Sequence, residues 1–318
     1  MKNEGKVLYL VIPCYNEEEM LPITYKALKE KMGKLIKSKK ISKDSKMVLV
    51  NDGSKDKTWE IIEDLHKKDS LVSGVNLSRN RGHQNALLAG LMTVKEDCDM
   101  AISMDADLQD DINVIDKFVD EFYAGSEIVY GVRSSRKKDT WFKRTTAEGF
   151  YKFMKMMGVD IVFNHADYRL MSKRVLNDLE KFKEVNLFLR GIFPLIGYRT
   201  SIVEYERNER VAGESKYPLK KMLAFAFEGI TSFSVKPLSL VLSLGMIIMF
   251  ISICIMLYCL IVKLLGHTVA GWAFISISIW FLGGLQMLSL GIVGKYIGKI
   301  YSEVKARPRF IVQEYLKK

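Results

Sequence analysis

Two long apolar segments near the C-terminus constrain the fold of this chain more than any other feature of its sequence. Residues 238–262 and residues 271–293 contain no Asp, Glu, Lys or Arg. Each segment exceeds the roughly 20 residues that an α-helix needs to cross the hydrocarbon core of a bilayer. We therefore predict two transmembrane helices within residues 234–297, and hence a multi-pass protein of the inner or plasma membrane.

The basic residues that flank these segments predict their orientation. From Ser234 onward the chain has nine Lys and Arg residues and two Glu residues, and seven of the nine follow the second segment. Because Lys and Arg are retained on the cytoplasmic side, we expect both termini and the large N-terminal region in the cytoplasm. Residues 298–318 are predicted to be a basic cytoplasmic tail that binds anionic lipid.

Glycines in and just after the second apolar segment predict self-association. Small residues let membrane helices approach one another closely. The expected assembly is a homo-oligomer, with a tetramer among the sizes left open. The glycines are Gly283, Gly284, Gly291, Gly294 and Gly298.

The first two thirds of the chain predict an α/β domain. Short apolar strands are expected, with helices between them, at residues 7–12, 47–50, 72–77, 100–104 and 127–132. Such alternation is typical of a parallel sheet flanked by helices. Ligands of these sheets bind at the carboxyl ends of the strands, and polar clusters follow the strands here.

The acidic segment after the fourth strand predicts a metal site. Asp105 and Asp107 follow an apolar strand, and in extended backbone their spacing places both side chains on one face. Two like charges raise each other's cost of ionisation unless a cation lies between them. Mg²⁺ or Mn²⁺, which prefers oxygen ligands, meets that need and keeps positions open for substrate phosphates. Taken alone, the spacing also fits a solvated acidic loop.

A basic stretch follows the fifth strand. It contains Arg133, Arg136, Lys137, Lys138, Lys143 and Arg144. A run of charge is usually a solvated loop, but this one is expected beside the metal site, where an anionic acceptor has to dock. Both interpretations remain open from the residues alone.

Three ordered motifs resemble those of the family 2 glycosyltransferases, which have the GT-A fold. They are Val-Ile-Pro-Cys-Tyr-Asn-Glu-Glu at 11–18, Val-Asn-Asp-Gly-Ser-x-Asp-x-Thr at 50–58 and Asp-Ala-Asp-Leu-Gln-Asp at 105–110. Asp-x-Arg-Leu at 167–170 and Arg-x-x-Gly-x-Ser-Lys-Tyr at 210–217 resemble two further family motifs. The resemblance covers the whole chain and is nearest to the polyprenyl-phosphate branch, which includes dolichol-phosphate mannose synthases and bactoprenol-phosphate glucosyltransferases.

The resemblance implies a cytoplasmic GT-A catalytic domain over residues 1–213 that binds a nucleotide-diphosphate sugar. The residues that it assigns to the nucleoside and the donor phosphates are Pro13, Tyr15, Glu17, Asp52 and Arg79. The ligands that it assigns to the Mg²⁺ or Mn²⁺ ion are Asp105, Asp107 and Gln109. Such an ion neutralises the charge that grows on the departing diphosphate. From the residues alone, Asp52 also fits an Asx-turn, and Tyr15 fits simple packing at a strand end.

The resemblance also implies an acceptor, polyprenyl phosphate. Its phosphate would be held by Arg133, Arg144 and Thr146. Asp167 is the implied catalytic base, with Arg169 as its electrostatic support. Because a phosphate monoester has a second pKa of about 6, it is a competent nucleophile at neutral pH and needs little help from a base.

Two segments ahead of the first apolar segment complete the implied architecture. Arg210, Ser215 and Lys216 are assigned to a loop that closes over the donor diphosphate. Residues 214–233 are predicted to form a juxtamembrane amphipathic helix in the membrane interface, because lysines lie on one side and apolar residues cluster. An ordinary surface helix is the alternative.

These features predict an inverting, metal-dependent membrane glycosyltransferase. The donor would be a nucleotide sugar such as UDP-glucose, UDP-N-acetylglucosamine or UDP-galactose, and the acceptor undecaprenyl or another polyprenyl phosphate. The product would be a lipid-linked sugar for glycosylation of the cell envelope.

The same residues bear on three other functions. A processive polysaccharide synthase of this fold would carry a Gln-x-x-Arg-Trp motif, which the sequence lacks. An inactive scaffold or transporter subunit would not need to keep Asp105, Asp107 and Gln109. Nucleic-acid binding is not expected, because the excess positive charge lies largely beside the apolar segments.

Overall fold

The computed structural model describes residues 5–133, 165–206, 234–265 and 271–317. The chain divides into two compact units. The sheet unit combines Met1–Lys152, Asp160–Tyr217 and Arg307–Lys318, and the helical unit combines Phe153–Val159 with Pro218–Ala306. The C-terminal residues therefore belong to the same unit as the N-terminal ones.

In the described part of the sheet unit, eight strands form one mixed sheet in the order β7-β5-β6-β4-β1-β2-β3-β8. The strands are β1 Leu8–Cys14, β2 Lys46–Asn51, β3 Val72–Leu77, β4 Met100–Ser103, β5 Ile128–Arg133, β6 His165–Ser172, β7 Thr200–Tyr205 and β8 Val312–Leu316. Strands β1 to β4 pair in parallel, as predicted. Strand β6 runs antiparallel to β4 and β5, and β8 runs antiparallel to β3, so the prediction of a parallel-type sheet holds only in part.

Helices flank this sheet, as the α/β pattern predicted. They are α1 Leu21–Lys37, α2 Thr58–Lys68, α3 His83–Val94, α4 Ile115–Tyr123, α5 Lys173–Leu179 and α6 Leu189–Ile196. Pro22 lies in the first turn of α1, where its missing N–H breaks no helical hydrogen bond. Gly90 lets α3 pack closely on the sheet, because a Cβ there would lie 2.6 Å from side-chain atoms of Val11 and Val50.

The predicted tail over residues 298–318 contains parts of two elements. The preceding helix continues to Val304, and Val312–Leu316 forms β8 at the edge of the sheet. Leu316 packs where Gly74 leaves room, since a Cβ on Gly74 would lie 3.1 Å from Leu316 Cδ1. This short strand thus covers the edge of β3, which would otherwise present unpaired backbone groups.

The helical unit contains α7 Lys236–Leu264 and α8 Trp272–Val304. Each includes a segment long and apolar enough to cross a membrane, Lys236–Ile255 and Phe281–Val304, by length and composition alone. Within this unit the Tyr296 hydroxyl donates a hydrogen bond to the Ser234 carbonyl at 2.5 Å. The predicted interfacial helix over residues 214–233 lies outside the described residues.

Candidate active site

The carboxyl ends of β1 to β4 meet at one edge of the sheet because these strands run in parallel. Cys14, the last residue of β1, is in register with Asn51, the last residue of β2. The polar loops that follow the four strands are therefore neighbours, and they carry the donor and metal residues that the sequence predicted.

Hydrogen bonds join the loop after β1 to the loop after β2. The N–H of Asn16 donates to Ser54 Oγ at 3.0 Å, and Asn16 Oδ1 accepts from the N–H of Lys55 at 2.9 Å. Asn16 has a φ of 53°, in the left-handed region that Asn tolerates better than most residues. The neighbouring Tyr15 is 44% exposed, which opposes the core-packing alternative and leaves its ring accessible to a ligand.

Asp52 joins the loop after β2 to the loop after β3. Its buried carboxylate accepts from the N–H groups of Arg81 at 2.7 Å and Gly82 at 2.9 Å. Burial raises the pKa of Asp52, and these two hydrogen bonds oppose the rise. Gly53, with a φ of +62°, brings the two loops together, because a Cβ there would lie 2.4 Å from the N of Asn80. Asp52 therefore supports the loop that carries the exposed Arg79, and no Asx-turn by Asp52 is seen: Asn51 Oδ1 instead accepts from Ser54 N–H at 3.2 Å.

The metal residues lie in a loop rather than on a strand. Strand β4 ends at Ser103, so the extended geometry predicted for Asp105 and Asp107 was wrong. The loop turns at Leu108, which has a φ of 53°, and Asp107 Oδ1 accepts from the N–H of Gln109 at 3.1 Å. We call residues 104–111 the acidic loop.

Neighbouring carboxylates affect the ionisation of Asp105. Partial burial raises its pKa to about 6; His83 opposes this rise, and Asp110, Asp167 and Asp107 add to it. His83 Nε2 lies 3.4 Å from Asp105 Oδ1. A bound cation would relieve this repulsion, so the loop has the charge that a metal site requires.

The metal ligands of the acidic loop fit a divalent ion whose remaining coordination positions are filled by the substrate. Among the described residues, no group of three or more His, Cys, Asp or Glu side chains is arranged to hold a metal. Asp105 and Asp107 supply two carboxylates, and Mg²⁺ is commonly held by one or two carboxylates together with substrate phosphates. Gln109, predicted as the third ligand, is largely buried.

Two arginines hold the carboxylate of Asp167, the predicted base. Arg190 donates from Nη2 to Oδ2 at 3.0 Å and from Nε to Oδ1 at 3.3 Å, and Arg169 Nη2 also pairs with Oδ1. Burial would raise the pKa of Asp167, but the two guanidinium groups hold it well below its usual range. A carboxylate that is so firmly ionised is a poor proton acceptor, which opposes the role predicted for Asp167.

Arg169 is fully buried, with its guanidinium 4.4 Å from the centre of the Phe193 ring. It contacts Asp167 from within the core, and its electrostatic role in the reaction stays a prediction. Arg190 is the second residue of the short helix α6, and its side chain is 30% exposed. Sequence reasoning missed Arg190 because nothing local in its segment points to Asp167.

The predicted acceptor and loop residues are placed only in part. Arg133 ends β5 and donates from Nη2 to Asp110 Oδ1 at 3.1 Å and from Nε to the Tyr205 hydroxyl at 3.3 Å. The sequence did not predict either partner. The remaining candidates lie outside the described residues: Arg144, Thr146, Arg210, Ser215 and Lys216.

Comparison with known proteins assigns the chain to a family. The family described as Glycosyl transferase family 2 matches residues 9–180. The uncharacterized glycosyltransferase YkoT of Bacillus subtilis (strain 168) is 54% identical over 98% of this chain and 93% of its own. The mixed sheet, its flanking helices and the acidic loop therefore form the catalytic domain of a GT-A glycosyltransferase. This chain belongs to glycosyl transferase family 2 and is a transferase enzyme.

Two other relatives have more specific names. The bactoprenol glucosyl transferase of Shigella phage SfX is 41% identical over 96% of this chain and 98% of its own. The prophage bactoprenol glucosyl transferase homolog of Escherichia coli (strain K12) is 40% identical over 97% of this chain and 99% of its own. Among solved structures, mannosyl-3-phosphoglycerate synthase from Rubrobacter xylanophilus matches with a TM-score of 0.46 at 13% identity, covering 70% of this chain and 71% of that chain.

Proposed function

We propose that this enzyme transfers a sugar from a nucleotide-diphosphate sugar to a polyprenyl phosphate, forming a lipid-linked sugar. The observation that carries the proposal is the end-to-end likeness to bactoprenol glucosyl transferases, at 41% identity over 96% of the chain. That likeness extends beyond the residues matched by the family, 9–180, and so includes the apolar helices. The candidate donors remain UDP-glucose, UDP-N-acetylglucosamine and UDP-galactose.

The joined loops at the edge of the sheet suit the donor. Tyr15 and Glu17 would contact the nucleoside from one loop, and Arg79 the phosphates from another. Asp105 and Asp107, with Gln109, would hold the Mg²⁺ or Mn²⁺ ion, which would offset the negative charge on the departing diphosphate. Asp52 would act mainly by holding the backbone of residues 81–82, since its carboxylate accepts both of their N–H groups.

The chemistry needs no strong base. An oxygen of the acceptor phosphate would bond to the anomeric carbon of the sugar while the bond from that carbon to the nucleoside diphosphate breaks, which inverts the configuration. The acceptor phosphate is largely ionised at neutral pH, since its second pKa is about 6. An Asp167 that is held ionised by Arg169 and Arg190 is consistent with such a reaction.

A lipid acceptor explains the long apolar helices. Large apolar side chains are exposed along both of them, among them Leu242, Phe250, Met287 and Leu290, and such a surface is not expected to face water. The chain leaves the sheet after β7 and returns to it at β8. If the intervening helices span a bilayer, they must do so an even number of times for β7 and β8 to lie on the same side, and the proposed two spans meet that condition. The cytoplasmic side of the sheet unit and the termini is proposed from the positive flanks. Homo-oligomerisation through the glycines of α8 remains part of the proposal.

A transfer assay on the purified full-length protein tests this function. The protein in detergent is given each labelled UDP-sugar with undecaprenyl phosphate and Mg²⁺ or Mn²⁺, and lipid-extractable label is measured. We expect one sugar per lipid, no product without the metal, and none with undecaprenol, which lacks the phosphate. A lipid-linked polymer would instead favour a processive synthase, and inactivity with every nucleotide sugar would favour a scaffold.

A further inference from the structure

A buried carboxylate lies at the end of the acidic loop and outside the predicted ligand set. Asp110 is 3% exposed. Its Oδ1 accepts from Arg133 Nη2 at 3.1 Å and from the hydroxyl of Tyr205. Because an uncompensated buried charge is strongly destabilising, Asp110 is held where these two partners lie.

Both partners come from the ends of neighbouring strands. Arg133 is the last residue of β5, Tyr205 is the last residue of β7, and the two are in register in a parallel pair. One carboxylate oxygen therefore fixes the acidic loop to two strand ends at once.

The surroundings hold this arrangement in place. The Tyr205 ring packs edge-on against Tyr168, with ring centres 5.5 Å apart. Gly131 leaves room for that ring, because a Cβ there would lie 3.1 Å from Tyr205 Cε1. The Tyr168 hydroxyl donates to the carbonyl of Asp111 at 3.2 Å, so a second contact fixes the same end of the loop.

We propose that Asp110 is a positioning residue which, through Arg133 and Tyr205, sets the geometry of the metal ligands Asp105 and Asp107. Asp110 lies three residues after Asp107 and next to Gln109, whose N–H donates to Asp107. A short, hydrogen-bonded turn connects Asp110 to Asp107, so a shift of Asp110 should also move the metal ligands. The inference rests on the metal-dependent function proposed above and deepens it.

This arrangement gives Arg133 a different role from the predicted one. Its guanidinium pairs with Asp110, so its loss should weaken metal binding on the donor side. The predicted contact with the acceptor phosphate would instead leave donor and metal binding unchanged. The two roles are therefore distinguishable without measuring transfer.

The test measures binding of Mn²⁺ in the presence of UDP, by electron paramagnetic resonance and calorimetry, on the full-length protein without acceptor. The variants are Asp110→Asn, Tyr205→Phe and Arg133→Ala. Asp111→Asn is the matched control, because it removes the same charge one residue further along. UDP binding without metal and the thermal midpoint are measured on each variant.

We expect Asp110→Asn and Arg133→Ala to weaken Mn²⁺ binding about tenfold, the loss of a charge-assisted contact. Tyr205→Phe should weaken it a few-fold, and Asp111→Asn should leave it unchanged. The Asp110→Asn, Tyr205→Phe double variant should be no worse than Asp110→Asn, because both changes act through one carboxylate. UDP binding without metal should be the same in all variants.

Several outcomes would overturn the inference. One is wild-type Mn²⁺ affinity in Asp110→Asn, and another is an equal loss in Asp111→Asn. If Asp110→Asn does not fold, unchanged Mn²⁺ binding by a folded Tyr205→Phe is decisive against it. If the wild-type protein with UDP binds no Mn²⁺, the metal-dependent function fails together with this inference. If the wild type binds Mn²⁺ and the variants match it, only the positioning role fails.

Discussion

Arg190 donates to both carboxylate oxygens of Asp167, at 3.0 Å through Nη2 and at 3.3 Å through Nε. Asp167 lies on β6 and Arg190 on α6, so this contact ties an internal strand of the sheet to a flanking helix beside the acidic loop. The buried Arg169 also pairs with Asp167, so this one carboxylate holds two arginines.

The first prediction concerns the pH dependence of transfer. If Asp167 positions Arg190, then Asp167→Asn and Arg190→Lys should both lower the transfer rate. The acid limb of the pH–rate profile should keep its apparent pKa in both variants, near the value of about 6 for a phosphate monoester. Rates of wild type and both variants between about pH 5 and pH 8 provide the measurement. Loss of the acid limb in Asp167→Asn alone would show that Asp167 is the base after all.

The same pair predicts how stability depends on pH. The pKa of Asp167 is lowered in the folded protein, so its contribution is present above the unfolded value of about 3.9 and is lost as the pH falls through the folded value. At neutral pH, Asp167→Asn should cost about 3 kcal/mol, because it leaves the buried Arg169 uncompensated. Thermal midpoints of wild type and variant should converge in acid, and a difference that is constant with pH would contradict this account.

Asp107→Asn should abolish transfer and leave the protein folded in the membrane. Removal of one charged ligand should cost several kcal/mol of transition-state stabilisation. Asp111→Asn, which removes a nearby charge that caps the turn at residues 112–114, is the control and should remain active. Initial rates over a range of Mg²⁺ and Mn²⁺ concentrations provide the measurement, and near wild-type turnover in Asp107→Asn is incompatible with the metal site.

The topology of the chain can be tested in intact cells. Tags at Met1 and Lys318 should be protected from an external protease, whereas a tag inserted at His267 should be reachable. The positive flanks of the apolar segments predict that both ends are cytoplasmic, and the return of the chain to the sheet at β8 predicts that they lie on the same side. A C-terminal tag that is accessible from outside would mean that one of the two helices does not span.

The acceptor phosphate is expected to depend on Arg144. A charge-assisted contact contributes roughly 1.5–3 kcal/mol, so Arg144→Ala should weaken use of undecaprenyl phosphate by about tenfold or more. Affinity for the nucleotide sugar, measured by calorimetry on the same variant, should barely change. Lys137→Ala, in the same basic stretch, is the matched control. Equal losses in both variants would indicate a general electrostatic effect of the stretch and not a phosphate contact.

Much of this protein follows from local patterns in its sequence. The apolar strands β1 to β4, their polar carboxyl ends and the two long apolar helices could be predicted, because each depends on the periodicity or length of one continuous segment. Strand β6 was missed, since His165, Asp167 and Arg169 interrupt its apolar residues and Arg169 is nonetheless fully buried. Strand β8 was not predicted either, because it is a short strand within a segment predicted to be a basic tail.

Only the tertiary structure decided which charges meet. Asp110 with Arg133 and Asp167 with Arg190 are each separated by 23 residues, too far for a helical or strand period to relate them. The first contact depends on the sheet order β7-β5-β6-β4, because Arg133 ends β5 and Asp110 follows β4 in the chain. The second contact joins strand β6 to helix α6. The sequence by itself therefore determined that carboxylates gather at the ends of the strands. Tertiary contacts determined which carboxylates lie near the expected metal position and which pair with arginines, because a buried charge must lie beside its partner in space.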